Sequence, residues 1–216
     1  MTDSLRRAAM VESQLKTNDV TDPRLIKAMG DVARERFVPA AMTPVAYMDG
    51  CVPLGGGRVL PDPRSFAKLA QLAAIRTGER VLDVGCGTGY STVVLAHLAG
   101  HVTGLEEDAE LAHAGQKNLN ALGIKNAEIV HGPLTEGSPD KAPFDVILIN
   151  GAIEFRPAAL LSQIEDGGRL VCVLREGAAG HGYLYLKHEG AVGERAAFGA
   201  QLPVLPGFKK VPGFVF

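Results

Sequence analysis

Hydrophobic and polar positions change rhythm part-way along the chain. Over Ser4–Leu15 the residues Leu5, Ala8, Ala9, Val11 and Leu15 give an imperfect apolar stripe, interrupted by Glu12, that predicts a short helix. A second helix is expected from Thr21-Asp22-Pro23, an N-cap followed by proline, to a stop at Gly30. Phe37-Val38-Pro39 ends this helical lead-in. Tyr47–Pro63 then holds Pro53, Gly55-Gly56-Gly57, Pro61 and Pro63, and reads as a seventeen-residue loop. A loop of that length in a compact unit marks a lid or a binding segment.

Beyond Pro63 short apolar runs alternate with amphipathic stretches. Helices are expected at Arg64–Ile75, Ser91–Ala99, Ala109–Leu122 and Ala158–Ile164. Strands are expected at Arg80–Val84, His101–Leu105, Ala127–His131, Phe144–Ile149 and Arg169–Leu174. Tyr183–Lys187 and Ala197–Leu202 read as two more strands with no helix between them. Continuous apolar strands alternating with helices predict an α/β fold: a Rossmann-like doubly wound sheet, mostly parallel, with an antiparallel hairpin at one edge and N-terminal helices added. The expected division is residues 1–60 as lead-in and substrate loop, and 61–216 as the ligand-binding unit, together one compact body.

Composition narrows the function classes. A hydrophobic fraction of 46% against 21% charged residues argues against disorder. Lys and Arg total 22 against 24 Asp and Glu, a net charge of −2, so nucleic acid and anionic membrane are not expected partners. Cys51, Cys86 and Cys172 are widely spaced and form no C-x-x-C pair, which excludes a disulfide scaffold and fits a reducing, cytoplasmic setting. The polar start Met1–Arg7 has no apolar stretch behind it, so no secretory signal is expected. The six histidines show no metal-ligand spacing, and no metal is expected.

The chemistry concentrates in Val81-Leu82-Asp83-Val84-Gly85-Cys86-Gly87-Thr88-Gly89-Tyr90-Ser91, where the first regular strand turns into a helix. Open parallel sheets bind ligands at such turns. A dinucleotide fingerprint, G-x-G-x-x-G, would need glycine where Tyr90 stands; the run here is G-x-G-x-G, with Asp83 two residues before it. A carboxylate at that point suits the cationic amino end of S-adenosylmethionine and would repel a pyrophosphate. Glu106 ends the next strand, 21 residues past Gly85, where an acid can accept hydrogen bonds from ribose hydroxyls. Asp83, Gly85, Cys86, Gly87, Gly89, Glu106, Glu107 and Gly132 are therefore the candidate cofactor residues. A plain tight turn with a solvated Glu106 and an NAD-type site are the competing readings. Cys86 inside the turn reads as a small filler rather than a thiol nucleophile, and Ser65 and Ser91 as helix-start residues.

With these residues in view, the chain resembles the protein-L-isoaspartate O-methyltransferases. The likeness runs through Asp22-Pro23-Arg24-Leu25, Arg36-Phe37-Val38-Pro39, the Tyr47–Pro63 loop, the glycine turn, Ala142-Pro143-Phe144-Asp145, Pro157-Ala158-Ala159-Leu160-Leu161 and Gly167-Gly168-Arg169-Leu170-Val171. It implies methylation of the side carboxylate of L-isoaspartyl residues in ageing proteins, leading to a succinimide and partial repair. The family's Gly-Gln-Thr-Ile-Ser-x-Pro run is Gly57-Arg58-Val59-Leu60-Pro61-Asp62-Pro63 here, so Pro61 holds the usual serine position and no catalytic residue is assigned. The Gly-Asp after the third strand is Gly132-Pro133, and the small-residue turn after the fourth is Asn150-Gly151-Ala152-Ile153-Glu154. Arg58 and Arg64, in the same loop, are the candidates to hold an anionic acceptor. A methyltransferase with another acceptor, and a cofactor-binding protein without transfer, are the alternatives.

Overall fold

The computed structural model describes residues 2–210; residue 1 and residues 211–216, the outer ends of the two expected regions, lie outside the described residues. Seven strands form one sheet in the order β5-β4-β3-β6-β7-β8-β9: β3 (Arg80–Val84), β4 (His101–Glu106), β5 (Ala127–His131), β6 (Phe144–Ile153), β7 (Ile164–Glu176), β8 (Ala179–His188) and β9 (Ala191–Gly199). Pairing is parallel from β5 to β7 and antiparallel across β7-β8-β9. The mostly parallel sheet with an antiparallel edge is thus present. Alternate strand residues feed opposite faces, as a pleated strand requires. Val81, Val102, Val146 and Val171 join the core under α3 (Pro63–Ala73) and α4 (Tyr90–Ala96), while Leu82, Ile147 and Leu170 join that under α6 (Ala158–Ser162). Met10, Leu15, Leu25, Met29 and Phe37 of the lead-in share the first of these cores.

Helix starts follow local chemistry. Asp22 accepts the Arg24 N–H at 2.9 Å ahead of α2 (Pro23–Asp31), and Asp62 accepts the Ser65 N–H at 2.8 Å ahead of α3. Asp108 accepts those of Glu110 and Leu111 ahead of α5 (Ala109–Ala121). These caps satisfy donors that the first helical turn leaves free.

Three expectations need correction. The first helix, α1 (Asp3–Met10), widens into a π-turn at Val11–Leu15 and tightens into a 3-10 turn at Lys16–Asn18. There the Ser13 and Thr17 hydroxyls donate back to the carbonyls of Ala9 and Ser13, the competition by which such side chains disturb a helical ladder. The Tyr47–Pro63 segment is no plain loop: β1 (Val52–Gly55) and β2 (Arg58–Leu60) form a hairpin around Gly55, Gly56 and Gly57, all at positive φ. The last strand spans Ala191–Gly199 rather than 197–202, because backbone pairing with β8 does not need an apolar run. Residues 203–208 instead return over the sheet, with Ala152 donating to the Pro203 carbonyl and Leu205 donating to that of Ala152.

Candidate functional site

The chain leaves β3 toward β4 and β5 on one side and continues from β6 on the other, so the strand order reverses between β3 and β6. Such a reversal opens a crevice at the carboxyl ends of the strands. The glycine turn occupies one wall. Gly85 and Cys86 donate to the Leu105 carbonyl at 2.8 and 3.2 Å, and Gly87 donates to Glu106 Oε2 at 2.7 Å. Gly87 sits at φ +56, and a Cβ there would lie 2.9 Å from Leu54 of the hairpin, so both conformation and space call for glycine. The turn is anchored from outside: the Thr88 hydroxyl donates to the Phe37 carbonyl at 2.6 Å and Asn118 donates to the Thr88 carbonyl at 2.9 Å.

The two acids lie in contrasting environments, although both are fully buried. Asp83 Oδ2 accepts the hydroxyls of Ser91 and Thr92 at 2.6 and 2.8 Å, and Asn150 donates to the Ser91 hydroxyl at 3.0 Å. Asp83 Oδ1 and Asn150 Oδ1 are buried acceptors without a donor. Desolvation is the largest influence on Asp83 and pushes its pKa up to about 6, against the opposing pull of the two hydroxyls. Glu106 instead accepts backbone N–H groups from Gly87, Glu107 and Asp108 and pairs with the Arg58 guanidinium, Nη2 to Oε2 being 2.7 Å.

The remaining candidates fall on the same rim or away from it. Gly132 donates to the Glu106 carbonyl at 3.0 Å, and the Glu107 carbonyl meets the His131 ring at 3.0 Å, which places both at the ends of β4 and β5. Gly89 opens α4 at φ +89. Cys86 is buried beside the acids, and desolvation, reinforced by Asp83 and Glu106, pushes its thiol well above the ordinary range, consistent with a filler. Arg58, expected to face an acceptor, is instead 6% exposed and seated on Glu106. Arg64 stays half-buried and lines a separate cavity of about 430 Å³ with Asp49, Cys51, Asp62, Ser65 and His181. Among the described residues no cluster of three or more metal-ligating side chains occurs.

Three participants escape sequence reasoning. Arg34 is fully buried and donates to the carbonyls of Ala46 and Pro61 at 2.7 and 2.5 Å, pinning both ends of the hairpin segment. Asn150 is visible in the sequence only as a departure from a small-residue turn. Leu205 comes from the returning segment: its Cδ1 lies 3.0 Å from where a Gly85 Cβ would stand, and its Cγ 2.5 Å from that of Gly151.

Against S-adenosylmethionine the residues fit in kind. A cationic amino group would satisfy the orphaned oxygens of Asp83 and Asn150, and Glu106 is a buried carboxylate at a strand end. Part of the space, however, is taken by this chain's own side chains: Leu205 Cδ1 and Arg58 Nη2 stand 3.0 and 3.2 Å from the Cβ position of Gly85, and the gap between Arg58, Pro61, Asn150, Gly151 and Leu205 holds only about 10 Å³. Small-molecule sites span roughly 300–1,000 Å³.

A family model described as Protein-L-isoaspartate(D-aspartate) O-methyltransferase (PCMT) matches residues 5–193. Protein-L-isoaspartate O-methyltransferase 2 of Anaeromyxobacter sp. (strain Fw109-5) is 44% identical over 170 residues, covering 79% of this chain and 70% of that one. The protein-L-isoaspartate O-methyltransferase of Methylorubrum populi is 43% identical over 171 residues, covering 79% and 80%. Among solved structures, a protein-L-isoaspartate O-methyltransferase superposes with a TM-score of 0.81 at 23% identity, over 93% of this chain and 66% of that one, just under two thirds of its length. A beta-aspartate methyltransferase from Plasmodium falciparum, in complex with S-adenosyl-L-homocysteine, gives 0.79 at 23% identity over 92% and 97%. At that identity the structural likeness concerns the fold.

Proposed function

The chain belongs to the protein-L-isoaspartate(D-aspartate) O-methyltransferase family, and from that premise we propose that it transfers a methyl group from S-adenosylmethionine to the side-chain carboxylate of L-isoaspartyl residues in damaged proteins. The observation that carries the reading is the pair of buried, donorless oxygens on Asp83 and Asn150 beside a glycine turn locked onto Glu106. S-adenosylmethionine supplies the electrophilic methyl. Asp83 and Asn150 would receive its amino end, Glu106 its ribose hydroxyls, and the Glu107–Gly132 rim would flank its base. An acceptor carboxylate, with an ordinary pKa near 4, is ionised at neutral pH and needs no general base. The protein's work is then to align the acceptor and exclude water.

Arg64, on the 430 Å³ cavity beside the first turn of α3, is the cation offered to the acceptor; its Nη2 also donates to the Gly199 carbonyl at 3.3 Å. Pro61 supports a second reading, a methyltransferase of this family with a different acceptor. It is buried, offers neither hydroxyl nor N–H, and its carbonyl is taken by Arg34. Labelled-methyl transfer to an isoaspartyl peptide and to its normal aspartyl counterpart tests the choice. Label on the isoaspartyl peptide alone is the expected result; none on either, from a chain that binds S-adenosylhomocysteine, rejects the isoaspartyl acceptor in favour of another acceptor or of cofactor binding without transfer. A cytoplasmic site of action is part of the proposal, and the unpaired Cys51, Cys86 and Cys172 support it. No helix of the described residues is long and apolar enough to cross a membrane.

A further inference from the structure

Glu106 is already fully oriented without Arg58. Its Oε1 receives the N–H groups of Glu107 and Asp108 at 3.0 and 3.2 Å, and its Oε2 that of Gly87 at 2.7 Å. The guanidinium then adds Nε at 3.3 Å to Oε1 and Nη2 at 2.7 Å to Oε2. A carboxylate offers about four lone-pair positions, so five donors leave none for a ribose diol. The same side chain reaches the glycine turn, its Nη2 standing 3.2 Å from the Cβ position of Gly85. Charge and volume therefore act together: one side chain satisfies the acid a nucleoside would need and fills the space above the turn.

We infer that Arg58 sets this chain's affinity for the nucleoside, as an internal competitor for Glu106 that must withdraw before an adenosyl group can enter. The inference rests on the reading of the seat given above. Its physical basis is conformational: the apparent dissociation constant is the intrinsic one divided by the fraction of molecules with Arg58 withdrawn. A buried, hydrogen-bonded ion pair keeps that fraction small, because withdrawal leaves the Glu106 charge uncompensated. The hairpin supplies the route. Arg58 directly follows Gly55, Gly56 and Gly57, all at positive φ, and begins a strand of only three residues. Leu54 and Leu205, which cover Gly87 and Gly85, complete the closed form.

Calorimetric titration of the full chain with S-adenosylhomocysteine tests this without recourse to activity. Arg58→Gln removes the guanidinium. Arg58→Lys is measured alongside, because it keeps a counter-charge for Glu106 while losing the paired fork. The expected result is at least tenfold tighter binding by Arg58→Gln than by the wild type, with Arg58→Lys between them. If only the lysine variant folds, tighter binding by that variant supports the inference in the same way. Equal or weaker binding by the variants overturns the inference and leaves the proposed function standing. No heat of binding from any of the three chains overturns both.

Discussion

Asp83 and Glu106 show how far one kind of side chain can be driven apart by its partners. Both are fully buried, but Glu106 has five donors, two of them from one guanidinium, whereas Asp83 has two hydroxyls and a bare Oδ1. Desolvation therefore wins at Asp83 and raises its pKa from 3.8 to about 6. Between those values the folded chain keeps a proton that the unfolded chain releases. The stability linked to Asp83 is thus full below pH about 4 and is lost as pH rises through about 6. Asp83→Asn removes this dependence. In urea unfolding from pH 4 to 7, the stability of the wild type relative to the variant should fall by about 2 kcal/mol, the remainder of the effect of this shift lying below pH 4. A relative stability that stays level over that range would place Asp83's pKa at its ordinary value. The two acids were legible in the sequence from their spacing around the turn; the difference between them was not, since it comes from residues of three other elements.

At the scale of elements, helix beginnings were readable and helix ends less so. Asp22, Asp62 and Asp108 cap α2, α3 and α5 from within their own sequence neighbourhoods. The end of α3 depends on a partner almost a hundred positions away. Ala74 takes a left-handed conformation at φ +46, and Arg169 on β7 donates to the carbonyls of Ala73 and Ala74 at 2.6 and 2.8 Å. The same guanidinium forks onto Glu79 with two bonds of 2.7 Å. Arg169→Ala should lower the unfolding free energy by about 2–3 kcal/mol, the range for charged hydrogen bonds to partly buried groups. Arg169→Lys should recover only part of it, because an ammonium cannot serve both sites in one geometry. Chemical denaturation of the three chains measures this, and a lysine variant equal to the wild type would reduce Arg169 to a simple counter-charge. The β1–β2 hairpin stayed hidden for a related reason: its strands of four and three residues are too short for alternation to register.

Across the whole molecule, the segment after β9 lays Leu205 over Gly85 and completes the closure that Arg58 begins. Its backbone joins the carboxyl end of β6, Leu205 donating to Ala152 at 2.9 Å and Glu154 donating to Phe208 at 2.9 Å. Phe208, 1% exposed, packs in the core under α6, with its ring 5.7 Å from that of Phe155. Phe208→Ala should cost about 3–5 kcal/mol, the usual loss for deleting a buried aromatic ring. The denaturant midpoint reads the loss, and a cost under about 1 kcal/mol would mean that the segment lies on the sheet without sharing its core. A chain weakened there should also hold Leu205 less firmly over Gly85.

Local patterns determined the parallel sheet, the turn after β3, the two acids and the family. Each is written in a run of consecutive residues, through apolar periodicity, glycine spacing or a capping side chain. What fills the crevice was decided only by the tertiary structure. Arg58, Leu205 and Asn150 come from three separate stretches of chain, and their meeting depends on how the hairpin and the returning segment pack over the end of the sheet. Burial and unmet hydrogen-bonding capacity, the quantities that distinguish an open seat from a closed one, are properties of that packing and leave no periodic trace in the sequence.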